Sequence, residues 1–269
     1  MPSRSSRLRE LVPGVLVATS DMYMLNTTVI VAGPRCLVVD PGLLPAELHG
    51  LAAEVADRGL VVEAGISTHP HWDHLLWSSD LGQAPRYATR MCVDAVEKNR
   101  ESVLDEPLRG ASAKWYAEWE AELAGRLTAM PDEERFSWSG PAADVVVHNA
   151  HAVGHCGLFF AELGVLVAGD MLSDIEVPGL DWDQTDQVSA YRDGLSRLAA
   201  LDGVKVVIPG HGRVGDGSAF QARVAGDLRY LESLAGARPF DDPRLTSWPP
   251  MQQQHQGNLD GFAKAHPAA

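Results

Sequence analysis

The sequence predicts an α/β protein in which two β-sheets carry helices on their outer faces. Three observations point there. Both halves of the chain contain short runs rich in β-branched residues, Gly, Pro and Asp separate these runs, and each half passes from a β-rich to an αβ pattern. With 269 residues, 45 % hydrophobic and 22 % charged, the chain is long enough for a sizeable core and ordinary in composition. It reads as one unit over 1–269, with a helical insert at about 93–130 and a C-terminal arm at about 238–269.

The elements follow in order. "GVLVATS", "YMLNTTVIVAG" and "RCLVVDPG" read as strands, and "AELHGLAAEVADRG" as a helix stopped by Gly59. "VVEAGIS" is a buried strand leading into the densest cluster of polar chemistry in the chain. In the charged insert, Trp115, Trp119, Leu123 and Leu127 recur every four residues and predict a helical stripe that packs the insert down. "ADVVVHNA", "LFFAELG" and "VLVAGD" return to strand. A helix at Val188–Leu201, the strand and turn "VKVVIPGHG" and the helix "SAFQARVAGDLRYLESLAG" complete the pattern. The Pro- and Gln-rich tail from Arg238 reads as an arm, ordered or partly loose.

Composition excludes some functions. A net charge of −14 opposes a role built on neutralising nucleic-acid phosphates. There is no long apolar run for a membrane span and no convincing export signal, and three cysteines far apart make no disulfide framework. The expectation is a cytoplasmic protein acting on a small-molecule substrate, without nucleic-acid or membrane partners and with homo-oligomerisation left open.

The stretch "STHPHWDHLLW", Ser67–Trp77, carries three histidines and an aspartate within His69–His74. Pro70 pushes His69 toward extended backbone, where residues two apart face the same way, so His69 and His71 can grip one ion. Asp73 and His74 fall where the chain turns and can face a second. Further donors stand at later strand ends: His155 in "AVGHCG", Asp170 in "VAGD" and His211 in "IPGHG". Five histidines and two aspartates suffice for a dinuclear site with one bridging carboxylate. His49, His148, His151 and His266 read as packed or surface residues, and Cys156 as a small buried thiol.

"HPHWDH", "GHC", "GD" and "PGHG", in this order over Thr68–Gly212 and preceded by "LVVDPG", resemble the metallo-β-lactamase-fold hydrolases. The resemblance implies a four-layer αββα sandwich with its site at one edge between the sheets. It implies that His69, His71 and His155 hold a first metal, that Asp73, His74 and His211 hold a second, that Asp170 bridges them, and that Asp40 supports the ligand loops.

Nitrogen and carboxylate donors suit two divalent ions, with zinc the best match and iron or manganese as alternatives. The expected reaction is hydrolysis of an ester, lactone, thioester or amide by metal-activated hydroxide, with Asp73 orienting it and moving a proton to the leaving group. Trp72 and Tyr23 are candidate substrate contacts, and "HWDHLLW" is loosely similar to lactonase-type members. The basic C-terminal extension of a glyoxalase II is absent. The rival readings are a mononuclear-iron persulfide dioxygenase-type enzyme and a non-catalytic scaffold, which would have lost ligands that this chain keeps.

Overall fold

The structure, a computed structural model, describes residues 8–42, 44–105, 118–184, 186–236, 238–247 and 249–267. A first sheet runs in chain order through β1 (Arg9–Val12), β2 (Val15–Thr19), β3 (Asn26–Ala32), β4 (Arg35–Val39), β5 (Val61–Ile66), β6 (Arg86–Ala88) and β7 (Thr128–Ala129). The second has β13 (Gly215–Asp216), β12 (Val206–Ile208), β11 (Val165–Val167), β10 (His155–Phe160), β9 (Ala143–His148) and β8 (Arg135–Phe136) side by side. β4 and β5 pair parallel, as do β11 and β12, so the C-terminal ends of both pairs can open on one common edge.

Two-residue periodicity builds the layers. Val15 and Val17 of β2 face inward to meet Leu158, Phe160 and Ile208 of the other sheet, forming the inter-sheet core. Leu16 and Ala18, between and beyond them, face outward to Leu51, Ala52 and Val55 of helix α1 (Pro45–Asp57). On the far side Phe159, Leu166 and Val207 pack on Tyr191 and Leu195 of α3 (Gln187–Ala199) and on Phe220 and Leu231 of α4 (Gly217–Leu234). Helix, sheet, sheet, helix is the expected αββα sandwich. All three cysteines are buried and free.

Among the described residues of the insert, α2 (Arg90–Asp105) is the α-helix. Trp115 lies outside the described residues. The rest of the expected stripe is not a helix, because Trp119–Leu127 runs through turns. Gly125 takes φ +65° there, and its N–H donates to the Leu75 carbonyl at 2.9 Å. A Cβ on it would stand 2.9 Å from Val96. Tertiary contacts thus override the periodicity, sending Trp119, Leu123 and Leu127 into three different clusters. The C-terminal arm carries a long helix, α5 (Pro249–Ala265), with Met251 and Asn258 buried. No helix among the described residues is long and apolar enough to cross a membrane.

Candidate metal centre

Strand ends deliver the donors. Asp40 follows β4, His69 follows β5, Asp170 follows β11 and His211 follows β12, so the edge shared by the two parallel pairs collects them all. Backbone bonds lock the sheets together there: Asn26 N–H donates to the Gly210 carbonyl at 2.7 Å, and Cys156 N–H to the Thr68 carbonyl at 2.9 Å. A single 3₁₀ turn, Trp72–His74, swings Asp73 and His74 away from the direction of His69 and His71.

Two groups of donors result: His69, His71, His151 and Asp170, and Asp73, His74 and His211. In the first, His71 Nδ1 stands 3.1 Å from both His69 Nε2 and His151 Nε2, and Asp170 Oδ2 is 3.5 Å from each of those Nε2 atoms. In the second, Asp73 Oδ2 is 3.1 Å from His211 Nε2 and 3.8 Å from His74 Nε2. Asp170 reaches this group too, with Oδ1 3.2 Å from His74 Nε2 and Oδ2 3.4 Å from His211 Nε2. Donors at the corners of a tetrahedral zinc shell stand about 3.3 Å apart, so these spacings fit metal ions.

Hydrogen bonding at the remote ring nitrogens supports the same conclusion. Thr68 Oγ1 donates to Asp40 Oδ2 at 2.8 Å, so its contact with His69 Nδ1 at 3.0 Å must be one it accepts. His151 Nδ1 is 3.1 Å from the Gly179 carbonyl, and His211 Nδ1 is 2.8 Å from the Tyr23 carbonyl. A carbonyl can only accept, so all three rings carry a proton on Nδ1, facing outward, and turn Nε2 into the site. Asp40, at φ +46°, also accepts from the Thr68 N–H at 2.9 Å and places Oδ2 3.0 Å from His74 Nδ1. His74 Nε2 and Asp170 Oδ1 are buried and stand 3.2 Å apart without a well-formed hydrogen bond, an arrangement that a cation between them would satisfy.

The two groups differ electrically. Burial, with the His71 imidazole beside it, pushes His151 down to about 3, and burial with His74 holds His69 well below the usual imidazole range. Both rings are neutral at ordinary pH. Burial opposes charge on His74 as well, but Asp170, Asp40 and Asp73 outweigh it and hold that imidazole well above its usual value. Burial also works against the Asp170 carboxylate, yet His211 and His74 keep it ionised.

The sequence expectation needs three corrections. His155 is not in either group. It opens β10 opposite His148, its Nε2 accepts the Asp170 N–H at 3.1 Å, and its ring lies stacked between His69 and His148. A nitrogen that accepts an N–H has no lone pair left for a metal. His151, read from the sequence as packing, takes the place expected of His155, because it sits in the β9–β10 loop where it can reach inward. Trp72 is buried at 7 % exposure and packs at 5.4 Å on Trp119, so its ring is core rather than pocket wall. Tyr23 touches the site through its carbonyl, with its ring edge-on to His211 at 6.5 Å. Glu176, missed from sequence, faces the same charges, and burial raises its carboxyl to about 7. Nothing in its local sequence marks it.

Comparison with known proteins agrees with this architecture. The metallo-beta-lactamase superfamily model matches residues 22–211. The uncharacterized protein ML0493 of Mycobacterium leprae (strain TN) is 25 % identical over 190 residues, 67 % of this chain and 82 % of its own. The metallo-beta-lactamase family protein TTHA1429 from Thermus thermophilus superposes with a TM-score of 0.68 at 20 % identity, covering 95 % of this chain and 94 % of that one. A beta-lactamase domain protein from Burkholderia ambifaria gives 0.66 at 18 % identity, covering 97 % and 87 %. With a matched span that includes every donor and lies within one continuous αββα fold, the chain belongs to the metallo-beta-lactamase superfamily.

Proposed function

We propose that the protein is a metal-dependent hydrolase that cleaves a carbonyl substrate, an ester, lactone, thioester or amide, using two divalent ions, with zinc the best match. His69, His71 and His151 would hold the first ion, Asp73, His74 and His211 the second, and Asp170 would serve both. The observation that carries this reading is that Asp170 stands within 3.5 Å of imidazole nitrogens in both groups while three of the rings, bonded outward through Nδ1, turn Nε2 toward it. When bound, the ions would supply Lewis acidity, lowering the pKa of a coordinated water toward neutrality and favouring negative charge on the attacked carbonyl oxygen.

The chain's own groups do the rest. The hydrogen bonds that Thr68, Gly179 and Tyr23 accept from the remote ring nitrogens fix ring orientation and point Nε2 of each ring inward. Asp73 is held as a carboxylate: burial opposes its charge, but His74 and His211 more than compensate. One oxygen faces His211, and the carboxylate is placed to orient the attacking water and pass its proton to the leaving group. A scaffold that had abandoned chemistry would have no reason to keep every donor aimed inward.

The test joins metal analysis to a hydrolysis panel of esters, lactones, thioesters and β-lactams. About two equivalents of metal with turnover of at least one class supports the reading. Full occupancy without hydrolysis of any class overturns it, and a single iron per chain favours the dioxygenase rival.

A further inference from the structure

A cavity of about 340 Å³ opens directly against His71 and His151. Helix α5 forms its far wall and the loop carrying Leu180, Asp181 and Trp182 its floor. α5 lies beyond the residues 22–211 matched by the superfamily, so this wall belongs to the chain's own C-terminal arm.

The wall is fastened to the metal centre. Gln254 Nε2 donates to the Val177 carbonyl at 2.8 Å, and Asn258 Nδ2 to the Pro178 carbonyl at 2.7 Å. The next residue, Gly179, receives the Nδ1 proton of His151. Trp182 packs against Gly261, where a Cβ would collide with the indole. Its Nε1–H is spent on Asn258 Oδ1 at 3.4 Å, so the ring offers the cavity only apolar surface. Gly257 faces open space, since a Cβ there would meet nothing within 4 Å.

Charge narrows the occupant. Asp181 is the acidic residue of the lining, and no lysine or arginine stands among the described residues around the cavity. A substrate bearing a carboxylate or phosphate at the α5 end of the cavity, away from the ions, would find no lysine or arginine there and would face Asp181 instead. Asp73, which would protonate the leaving group, belongs to the other donor group, whereas the cavity is lined by His71 and His151 of the first, away from the proposed proton donor.

From this geometry we infer that the α5 cavity is an acyl subsite for an uncharged apolar group, of the size of a hexanoyl chain or a phenyl ring, and that it disfavours anionic acyl groups. The inference rests on the hydrolase reading, and its test separates the two. p-Nitrophenyl acetate, butyrate, hexanoate and hemiglutarate are compared on the metal-loaded protein and on Gly257→Leu and Asp181→Lys. In the wild type kcat/KM is expected to rise by up to about fourfold per buried methylene, with hemiglutarate at least about tenfold below hexanoate. Gly257→Leu flattens the chain-length dependence, and Asp181→Lys narrows the gap between hemiglutarate and hexanoate. These are ratios within one preparation, so they are unaffected by the fraction of folded protein. A flat wild-type series, or an unchanged ratio in Gly257→Leu, overturns the subsite. If none of these esters turns over, the lactone, thioester and β-lactam arms of the panel decide the hydrolase reading, and saturation-transfer NMR with hexanamide and hexanoate decides the subsite. Hexanamide binding that is lost in Gly257→Leu supports it; no binding, or equal binding of both probes, overturns it.

Discussion

His155 Nε2 accepts the backbone N–H of Asp170 at 3.1 Å, so this histidine holds the residue that would serve both ions without being able to bind one itself. His151→Ala and His155→Gln should therefore differ in kind. His151→Ala is expected to retain about one metal equivalent at concentrations where the wild type holds two. His155→Gln keeps both equivalents and loses about 10- to 100-fold in affinity. Metal analysis after dialysis, followed by chelator competition, reads both outcomes. Equal loss of one equivalent in the two variants contradicts the assignment.

Asp73 is the proposed proton carrier, so Asp73→Asn removes the base while keeping an oxygen at the same place. Turnover is expected to fall by about a hundredfold or more. The melting temperature should stay within a few degrees of the wild type. Near-normal turnover would falsify the role given to Asp73.

Close packing around the shared carboxylate gives a purely steric prediction. A Cβ on Gly210 would overlap Asp170 Oδ1, so Gly210→Ala must displace that carboxylate. Both metal equivalents are expected to be lost. Gly226→Ala in α4 is the control, because its Cβ would meet only arginine tips at 3.7 Å and beyond, and it should bind metal as the wild type does. Retention of metal by Gly210→Ala would show that the edge yields more than its contacts allow.

Acid should destabilise the fold through His148, which stacks on His155. Burial, with Arg197 adding to it, pushes this imidazole from 6.5 down to about 4. The unfolded chain takes up a proton there as pH falls through 6.5, whereas the folded chain waits until about 4. Stability from this group is thus complete above 6.5 and is lost progressively on the way down to about 4, by roughly 3 kcal/mol in all. His148→Asn keeps an acceptor for the Ala150 N–H at the position of Nδ1 and removes the titration. In urea unfolding, its loss between pH 7 and 4.5 should be about 2.5 kcal/mol smaller than that of the wild type. Parallel pH curves for the two proteins would remove His148 from the account.

Much of the centre was legible in the sequence because its logic is local. Pro70 extends His69–His71, the turn at Trp72 separates the second pair, and Asp170 and His211 follow strands closed by glycine. The choice between His151 and His155 was not local. It depends on the β9–β10 register that pairs His155 with His148 and leaves His151 in the loop, which "HNAHAVGHC" does not spell out. Trp72 has the same explanation: only the packing of Trp119 shows which way its ring turns. α5 was hidden because it has little apolar periodicity, being held instead by amide hydrogen bonds and by Trp182 over Gly261.

The bond from Asn26 Nδ2 to the Pro209 carbonyl joins residues 183 positions apart, at the edge where the donors meet. That separation bears on biosynthesis. A ribosome releases His69–His74 long before His211, and neither donor group is complete until strands from opposite ends of the chain have docked. An ion arriving early finds only fragments of a site. Metal uptake should therefore follow folding, and a loaded centre is a sign that the whole sandwich has closed.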